Sequence, residues 1–368
     1  MRLTLVAPLV TPLRAAQTGG AQSVVADLAR GLVGRGVDVE LVAPSGSRCP
    51  GVKLRAAPGG PFPGELLHAM QPDATSAAAT PPPGWPSAQA AAYLRLVAEL
   101  RADAVPPDVV HAHALDWPSF YALAASGLPT VHTLHLPPVD PAAVEAAGAA
   151  ARTRPRPAFV AVSCSCAEQW RRIVPVDAVI GNGIDPATIA FSATPQPDLA
   201  IVAGRISPEK GTHLAVAAAR RAGMRVLLVG DVYDRDYYDE RVAPLLDEAV
   251  EQRGPQPRHR LAMLYGRAAV CVVASMWEEP FGMVALEANL AGTPVAGFAR
   301  GGLPGVVGDR GGVLTADTTV EALARAIPQA IALPRRAVRE QAARRHPLSR
   351  TLDRYQQLYA TLAAGQPR

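Results

Sequence analysis

Short apolar runs of strand length alternate with alanine-rich helical stretches along the whole chain. Because strands that are apolar on both faces lie buried in parallel sheets, this order predicts a parallel α/β architecture. In the first half the predicted strands are 3–6, 37–42, 109–113, 130–134, 159–163 and 178–180. In the second half they are 199–203, 225–229, 269–274 and 294–298. The spacing predicts two doubly wound, Rossmann-like units.

Two stretches interrupt this alternation. Residues 191–198 contain two prolines and little that could be buried, which is typical of a linker. We therefore predict a first domain over 1–190 and a second over 191–346. Residues 58–86 are rich in proline and glycine and predict a long surface loop over the first domain. Apolar residues at helical spacing predict a C-terminal helix within 347–365.

The length and composition of the chain agree with two domains and indicate which classes of molecule it could bind. A length of 368 residues exceeds one ordinary hydrophobic core, and 49% hydrophobic with 18% charged residues describes a globular chain. The net charge of +4 is small and no basic block contains interleaved aromatic residues, which disfavours nucleic acid. The weak positive bias suits an anionic small molecule or a membrane surface. Nearly all cations are arginines, the two lysines being Lys53 and Lys210.

The cysteines and the N-terminus indicate the cellular compartment. The four cysteines lack the paired spacing of a zinc site or a redox motif. Cys164 and Cys271 lie in or beside apolar runs, which indicates buried thiols in a reducing compartment. The apolar start of the chain is interrupted by Pro8, Pro12 and Arg14, so we interpret it as a strand and not as a signal peptide. No apolar stretch approaches the about 20 residues of a membrane span. We expect a cytoplasmic protein.

The most informative stretch is 275–287, which places Glu279 and Glu287 eight positions apart. Between them, Pro280 suits the first turn of a helix and Gly282 lets backbone approach a ligand, so a helix N-terminus is predicted there. A helix N-terminus attracts an anion, whereas each carboxylate repels it. Each acid should therefore face a neutral group rich in hydroxyls on either side of the anion. A nucleotide diphosphate sugar has this layout, because two phosphates separate a ribose from a sugar.

Two glycine-containing turns also follow predicted strands. The run 204–212 carries Arg205 and Lys210 between glycines at the end of the second domain's first strand, where ligands bind in open α/β sheets. Guanidinium offers a bidentate fork to phosphate oxygens and ammonium a point charge, so both cations are predicted to bind a diphosphate. Gly19 and Gly20 follow the first strand of the chain, where backbone N–H groups can approach a phosphate or a sugar. An ordinary loop is the alternative for this glycine pair.

These motifs resemble those of the retaining glycosyltransferases with the GT-B fold that carry a Glu-x7-Glu signature, glycosyltransferase family four. The resemblance implies that two Rossmann-like domains face a cleft and that the C-terminal helix crosses back to the first domain. It implies that Glu279 contacts hydroxyls of the donor sugar and that Glu287 holds the ribose. It implies that Arg205 and Lys210 bind the diphosphate without a metal. The residues whose backbone N–H groups would line the phosphates are Phe281, Gly282, Met283 and Val284.

The same resemblance implies roles for polar residues of the first domain. His113, at the end of a predicted strand, matches an active-site histidine beside the donor sugar. His135 matches a Thr-x-His element on the acceptor side, and Asn182 matches an Asn-Gly motif at the interdomain crevice. We place His111 on the opposite face of its strand from His113 and expect it to serve packing or hydrogen bonding.

Two features need separate interpretation. In the glycine-rich turn after the last predicted strand, Gly305 stands where the resembling family has a glutamate. Asp234 and Asp236 have the spacing with which metal-dependent glycosyltransferases hold a divalent cation. Because Arg205 and Lys210 already supply positive charge, we interpret these two acids as part of a solvated loop and expect no metal cofactor.

The sequence and this resemblance together predict a glycosyltransferase that moves a sugar from a nucleotide diphosphate sugar, such as a UDP or GDP sugar, to an acceptor hydroxyl. The resemblance implies that transfer retains the anomeric configuration. Its catalytic residues would be His113, Glu279, Arg205 and Lys210. The expected acceptor is a natural product or a glycan, while a lipid acceptor with peripheral membrane contact stays open. Two alternatives are a sugar-nucleotide epimerase or phosphorylase on the same fold and a non-catalytic subunit that binds a nucleotide sugar.

Overall fold

The computed structural model describes residues 1–14, 20–58 and 85–365. Gly19 and almost all of the predicted loop 58–86 lie outside the described residues. The described residues form two parallel α/β domains that face each other, each with a sheet between helices, as the pattern of apolar runs predicts.

The first domain contains a seven-stranded parallel sheet in the order β3-β2-β1-β4-β5-β6-β7. Its strands are β1 Arg2–Val6, β2 Asp38–Ala43, β3 Lys53–Ala56, β4 Val109–Ala112, β5 Thr130–Leu134, β6 Ala158–Ala161 and β7 Ala178–Val179. The described helices are α1 Gly20–Val33, α2 Trp85–Ala102, α3 Trp117–Ala124, α4 Pro141–Ala150 and α5 Cys164–Trp170. The strand order reverses between β1 and β4, which opens a crevice at their carboxyl ends.

The second domain contains a six-stranded parallel sheet in the order β10-β9-β8-β11-β12-β13. Its strands are β8 Gln196–Ala203, β9 Arg225–Val229, β10 Val250–Arg253, β11 Ala268–Val273, β12 Val295–Phe298 and β13 Gly312–Thr315. The longer helices are α6 Thr212–Arg221, α7 Arg258–Arg267, α8 Met283–Leu290, α9 Leu303–Val307, α10 Val320–Ile331 and α11 Arg335–Arg345. Shorter helical turns cover Pro186–Thr188, Pro208–Lys210, Arg235–Tyr237, Tyr238–Val242 and Ala243–Leu245. The order reverses between β8 and β11, which opens the matching crevice.

Three strands were not predicted, and all of them lie at the edges of the sheets. β3, β10 and β13 have few buried side chains, so their sequences lack the continuous apolar run that marks a central strand. The end of the predicted linker 191–198 is also wrong, because β8 begins at Gln196.

The C-terminal helix α12, Leu348–Ala364, packs against the first domain. Its residues Leu352, Tyr355 and Tyr359 are buried in one apolar cluster with residues of β1 and α1. Gly31 of α1 permits this contact, because a Cβ there would lie 2.7 Å from Cδ1 of Leu352. The chain thus crosses between the domains a second time before it ends.

A second apolar cluster includes residues of both domains, among them Trp170 of α5 and Phe281 before α8. Cys271 is buried as predicted, whereas the prediction of a buried Cys164 is wrong. Cys164 is exposed because β6 ends at Ala161 and Cys164 already belongs to the surface turn that starts α5. Among the described helices, none is long and apolar enough to cross a membrane.

Candidate active site

The carboxyl ends of β8 and β11 bring Lys210 and Glu279 together. The Lys210 Nζ lies 2.8 Å from Oε2 and 3.1 Å from Oε1 of Glu279. The Ser275 hydroxyl and the Trp277 indole N–H also donate to Oε2 of Glu279, at 2.8 Å and 3.1 Å. The Lys210 ammonium lies 4.9 Å from the centre of the Trp277 ring, within range of a cation–π contact. One carboxylate is therefore held by three donors from two loops.

These contacts determine the protonation of Glu279. Burial raises the pKa of this carboxyl, but the Lys210 charge and the hydrogen bonds from Lys210, Ser275 and Trp277 outweigh burial and hold the pKa below its usual range. Glu279 is therefore an ionised hydrogen-bond acceptor near neutral pH. It is not suited to act as a general acid.

Arg205 lies in the turn after β8, on the same side of the cleft as Lys210. Its guanidinium lies 3.2 Å from Oε1 of Glu209 and 5.0 Å from the centre of the Tyr233 ring. The Ser207 hydroxyl donates to the same Glu209 oxygen at 2.7 Å.

The turn that carries Arg205 and Lys210 requires a glycine at position 211. Gly211 has a φ of 59°, and a Cβ there would lie 2.1 Å from the carbonyl oxygen of Ala274. Arg205 and Lys210 are thus held on one rigid turn against β11. A small cavity of about 50 Å³ beside them is lined by Arg205, Lys210 and Glu279.

Helix α8 begins at Met283, after Gly282 with a φ of 107°. The prediction that Pro280 occupies the first helical turn is wrong, because Gly282 adopts a left-handed conformation and the helix starts only after it. The predicted placement of a helix N-terminus between Glu279 and Glu287 is correct. The first backbone N–H groups of α8 have no partner within the helix, so they can receive an anion.

The glycine loop after β12 supports the turn before α8. The Gly302 N–H donates to the carbonyl oxygen of Glu279 at 2.6 Å, and the Gly301 N–H donates to the Glu278 carboxylate at 2.8 Å. A Cβ on Gly301 would lie 2.3 Å from the backbone of Glu279, so this approach excludes larger residues. Arg300 forms an ion pair with Glu278 at 3.2 Å. Sequence reasoning left the role of this loop open, and the structure places it behind Glu279.

Glu287 lies on α8 in a different environment. Its Oε1 lies 3.6 Å from Nε of Arg258 in α7, and Arg258 also forms an ion pair with Asp27 of the first domain. Burial raises the pKa of Glu287 to about 7, with a further increase from Asp27, while Arg258 and a hydrogen bond from Tyr265 act to lower it. Sequence reasoning missed Asp27 and Arg258, because nothing near them in the chain indicates contact across two domains.

The first domain faces this site through the start of α1. A Cβ on Gly20 would lie 3.6 Å from Cγ of Met283, so Gly20 and the N-terminus of α8 meet across the cleft. The N-terminal end of α1 and that of α8 are therefore neighbours, although more than 260 positions separate them in the sequence.

Four buried histidines lie at the ends of β4 and β5. Nδ1 of His113 lies 2.9 Å from Nε2 of His135. Burial lowers the pKa of His113 well below its usual value, with smaller contributions from the other histidines, and lowers that of His135 to about 4. Both rings are therefore neutral near pH 7. His132 is also buried and neutral, because burial lowers its pKa to about 3.

The placement of His111 on the opposite face from His113 is wrong. The two rings have centres 4.0 Å apart, because residues two positions apart in a strand share a face. His111 does serve hydrogen bonding: its Nδ1 lies 2.6 Å from the Tyr359 hydroxyl and its Nε2 lies 2.7 Å from Oγ1 of Thr133. Helix α12 therefore reaches the back of the histidine group, a contact that no local sequence signal predicts.

Two other predicted polar groups lie apart from this site. Asn182 is buried and lines a separate cavity at the crossover between the domains. Asp234 caps the helical turn Arg235–Tyr237, since its carboxylate accepts the Tyr237 N–H at 2.8 Å. In the part of the chain that the structure describes, no three His, Cys, Asp or Glu residues are grouped so that they could hold a metal ion.

Two facing Rossmann-like domains with charged groups at the switch point of the second sheet define the class of GT-B glycosyltransferases. Residues 18–188 match the family described as "Glycosyltransferase Family 4", and residues 189–346 match "Glycosyl transferases group 1". The chain belongs to this family of glycosyltransferases.

The chain is similar to several known members. It is 30% identical to the D-inositol 3-phosphate glycosyltransferase of Frankia alni over 79% of this chain and 80% of that protein. The structure is similar to a sucrose-phosphate synthase from Thermosynechococcus elongatus, with a TM-score of 0.81, 20% identity and full coverage of both chains. It is also similar to AviGT4, a glycosyltransferase involved in Avilamycin A biosynthesis, with a TM-score of 0.68, 25% identity, and coverage of 99% of this chain and 98% of that one.

Proposed function

We propose that this glycosyltransferase moves a sugar from a nucleotide diphosphate sugar to an acceptor hydroxyl, with retention of anomeric configuration and without a metal ion. The observation that carries the proposal is the ionised Glu279, held at 2.8 Å by Lys210 beside the N-terminus of α8. A carboxylate that accepts hydrogen bonds, a cation and a helix N-terminus lie together there. The carboxylate suits a sugar hydroxyl, and the cation and the helix N-terminus suit a diphosphate.

In the proposed donor complex, Arg205, Lys210 and the first N–H groups of α8 bind the diphosphate. The backbone groups involved would belong to Phe281, Gly282, Met283 and Val284. Glu279 accepts a hydrogen bond from a hydroxyl of the donor sugar, and Glu287 accepts hydrogen bonds from the ribose. Gly20 lies opposite Met283, so it would close on the same ligand. Gly19 lies outside the described residues and is proposed to contact the same donor on the basis of the sequence alone.

Transfer breaks the bond between the anomeric carbon and the diphosphate oxygen. Negative charge then develops on the diphosphate, where Arg205, Lys210 and the helix N-terminus stabilise it, an electrostatic contribution of the oxyanion-hole kind. The acceptor hydroxyl attacks from the face that the diphosphate leaves and gives its proton to the leaving phosphate oxygen. His113 and His135 are neutral, so they serve as hydrogen-bond partners of the donor sugar and of the acceptor side and not as fixed charges.

We propose a hydroxyl-rich natural product or glycan as the acceptor, bound by the first domain near His135. The similarity to AviGT4, whose role is described as Avilamycin A biosynthesis, supports a natural product. The similarity to an inositol 3-phosphate glycosyltransferase supports a polyol acceptor as well. We assign Asn182 to the crossover between the domains and not to direct acceptor contact, since it lines a separate cavity.

A thermal-shift panel of UDP, GDP, ADP and dTDP with their common sugars would identify the donor. A ligand at a hundredfold excess over its Kd stabilises the folded protein by about 2.7 kcal/mol, so one base should raise Tm clearly above the others. The product of transfer from that donor would then be analysed by NMR for its anomeric linkage. Inversion would contradict the retaining mechanism, and loss of turnover with EDTA that magnesium or manganese restores would contradict metal independence.

The same assay separates the alternatives. An epimerase or a phosphorylase would turn over the donor without an acceptor or would require free phosphate. A non-catalytic binding subunit would bind the donor and lose no transfer activity when Glu279 is replaced.

A further inference from the structure

A second cavity, of about 380 Å³, lies where the chain crosses between the domains. Ser163 and Asn182 of the first domain form one wall, and Phe281 and the exposed Gly305 of the second domain form another. Residues at the end of α11 and the start of α12 complete it. Of the residues that the structure describes, none lines both this cavity and the small cavity at Lys210 and Glu279. Its volume lies within the range typical of small-molecule sites, about 300–1,000 Å³.

The charge of this cavity is one-sided. Three arginines line it, Arg345, Arg350 and Arg354, and among the described residues no acidic side chain does. Within the described ranges, none of the three forms an ion pair with an acidic side chain. Their neighbours Arg344 and Asp353 do form such pairs, with Glu340 and Arg35 respectively. Glu340 of α11 and Asp353 of α12 are therefore paired with arginines outside the cavity, and the electrostatic potential in the cavity is positive.

Backbone contacts hold two of the arginines in place. The Arg345 guanidinium donates to the carbonyl oxygen of Gly305 at 3.0 Å, and the Arg350 guanidinium donates to the carbonyl oxygen of Arg345 at 2.8 Å. Each of these bonds uses one terminal nitrogen, so further N–H donors of both side chains stay available to a ligand. His346 lies between them in the chain, and burial, with the charges of Arg345 and Arg350, lowers its pKa to about 4.

Because position 305 is a glycine, it provides no carboxylate that could neutralise the positive charge of the three arginines. A Cβ on Gly305 would have no heavy atom within 4 Å, so the position has room for a side chain. Gly305 lies inside α9 without a positive φ, so a larger residue could adopt the same backbone. Where the resembling family has a glutamate, this chain has Gly305, and it therefore lacks a carboxylate at this position close to Arg345.

We propose that this cavity is a binding site for a phosphate-bearing small molecule, such as a sugar phosphate, held by Arg345, Arg350 and Arg354. Guanidinium groups bind phosphate oxygens through paired, charge-assisted hydrogen bonds. The hydroxyl and amide of Ser163 and Asn182 provide neutral partners for the remainder of such a molecule. Phe281 also belongs to the proposed donor site, but the three arginines do not, so this proposal does not depend on the proposed function.

Isothermal titration of the full chain with inorganic phosphate and with glucose 6-phosphate, in the absence and presence of saturating UDP, tests this proposal. We expect glucose 6-phosphate to bind under both conditions and the double variant R350Q/R354Q to bind it at least about tenfold more weakly. The matched control is R344Q, whose arginine lies on α11 and pairs with Glu340, and it should bind as the unmodified protein does.

A second variant adds charge instead of removing it. In G305E a carboxylate would stand beside Arg345 and compete with the ligand, so glucose 6-phosphate affinity should fall about tenfold while the Tm stays unchanged or rises. Absence of binding to the unmodified protein would overturn the proposal, as would equal affinity in R344Q and R350Q/R354Q. Binding that UDP abolishes would place the phosphate at Arg205 and Lys210 and would equally overturn it. None of these outcomes bears on nucleotide binding itself, which the UDP titration reports separately.

Discussion

Glu279 and Glu287 have equally exposed side chains, but their pKa values are shifted in opposite directions. Each side chain is 12% exposed, yet the pKa of Glu279 lies below its usual range and that of Glu287 is raised to about 7. Glu279 accepts hydrogen bonds from three donors, including Lys210 at 2.8 Å. Glu287 has its nearest cation, Arg258, at 3.6 Å, and Arg258 is shared with Asp27. Burial alone therefore does not determine the charge of a carboxyl, since the number and distance of its donors decide it.

This difference suits the two roles proposed for them. Glu279 is preorganised, because its charge and orientation are set before a sugar arrives. Glu287 contacts the Tyr265 hydroxyl and has a cation only at 3.6 Å, so the hydroxyls of a ribose would supply further hydrogen bonds to its ionised form. The first glutamate would serve the reacting sugar and the second would serve recognition of the nucleotide.

The largest effect is expected from replacing the preorganised carboxylate. E279Q keeps the shape of the side chain but removes the charge that a sugar hydroxyl and Lys210 both require. Because hydrogen bonds to charged groups contribute about 1.5–3 kcal/mol, transfer should slow by about a hundredfold, measured as kcat with the identified donor. E278Q is the matched control, since Glu278 pairs with Arg300 behind the site and its side chain is 45% exposed. Equal rates in E279Q and the control would remove Glu279 from the mechanism.

Removing Lys210 should make the environment of Glu279 resemble that of Glu287. In K210M the pKa of Glu279 should rise, because the largest lowering influence on it is lost. Donor affinity should fall by about tenfold, because the protein loses one of the cations proposed to contact the diphosphate, and titration calorimetry would measure this fall. The other lysine of the chain provides the control: K53M removes an ammonium that is 63% exposed and pairs with Glu40 far from the cleft. A donor affinity unchanged in K210M would contradict the diphosphate role.

Glu287 should make the folded protein less stable at alkaline pH. Its folded pKa of about 7 exceeds the ordinary value of 4.5, so the stability linked to its proton is complete below pH 4.5 and is lost as pH rises through 7. E287Q cannot ionise and should be more stable than the unmodified protein at pH 8 by roughly 2–3 kcal/mol, while it binds the nucleotide more weakly. Denaturant unfolding at pH 5 and pH 8 measures the difference. A gain that is the same at both pH values would contradict the raised pKa.

The smallest effect is expected from Asp27. D27N removes a carboxylate that raises the pKa of Glu287 and frees Arg258 to approach it, so the pH dependence of stability should move to lower pH. D353N, which removes an exposed partner of Arg35, is the control and should leave the pH dependence unchanged. If D27N behaves like D353N, Asp27 does not influence Glu287.

Sequence reasoning succeeded where an element is buried or a motif is local. The central strands were predicted because their apolar runs are continuous, and the acids, cations and glycines around α8 were found because each lies within a few positions of a strand end. The strands β3, β10 and β13 were missed because edge strands are partly exposed and carry no such run. The start of α8 was placed too early, since Pro280 fits a helix start while the backbone of Gly282 decides where it begins.

Contacts between segments that are distant in the chain could not be predicted from the sequence. Arg258 and Asp27 meet across two domains, and Tyr359 reaches His111 over 248 positions. Neither pair has a periodic or motif signal, because each depends on how separately folded units pack. The same holds for the arginines of the crossover cavity, which belong to two consecutive helices and face a loop that follows β12.

Local patterns in the amino-acid sequence were enough to predict the class of fold, the presence of two domains and the charged side chains that follow the strands of the second domain. They were enough because apolar periodicity and strand-end motifs are local properties of the chain. The partner of each charged group follows only from the folded chain, and with it the difference between an ionised Glu279 and a Glu287 with a pKa of about 7. A pKa depends on burial and on charges within a few ångströms, and these neighbours come from segments that only folding brings together.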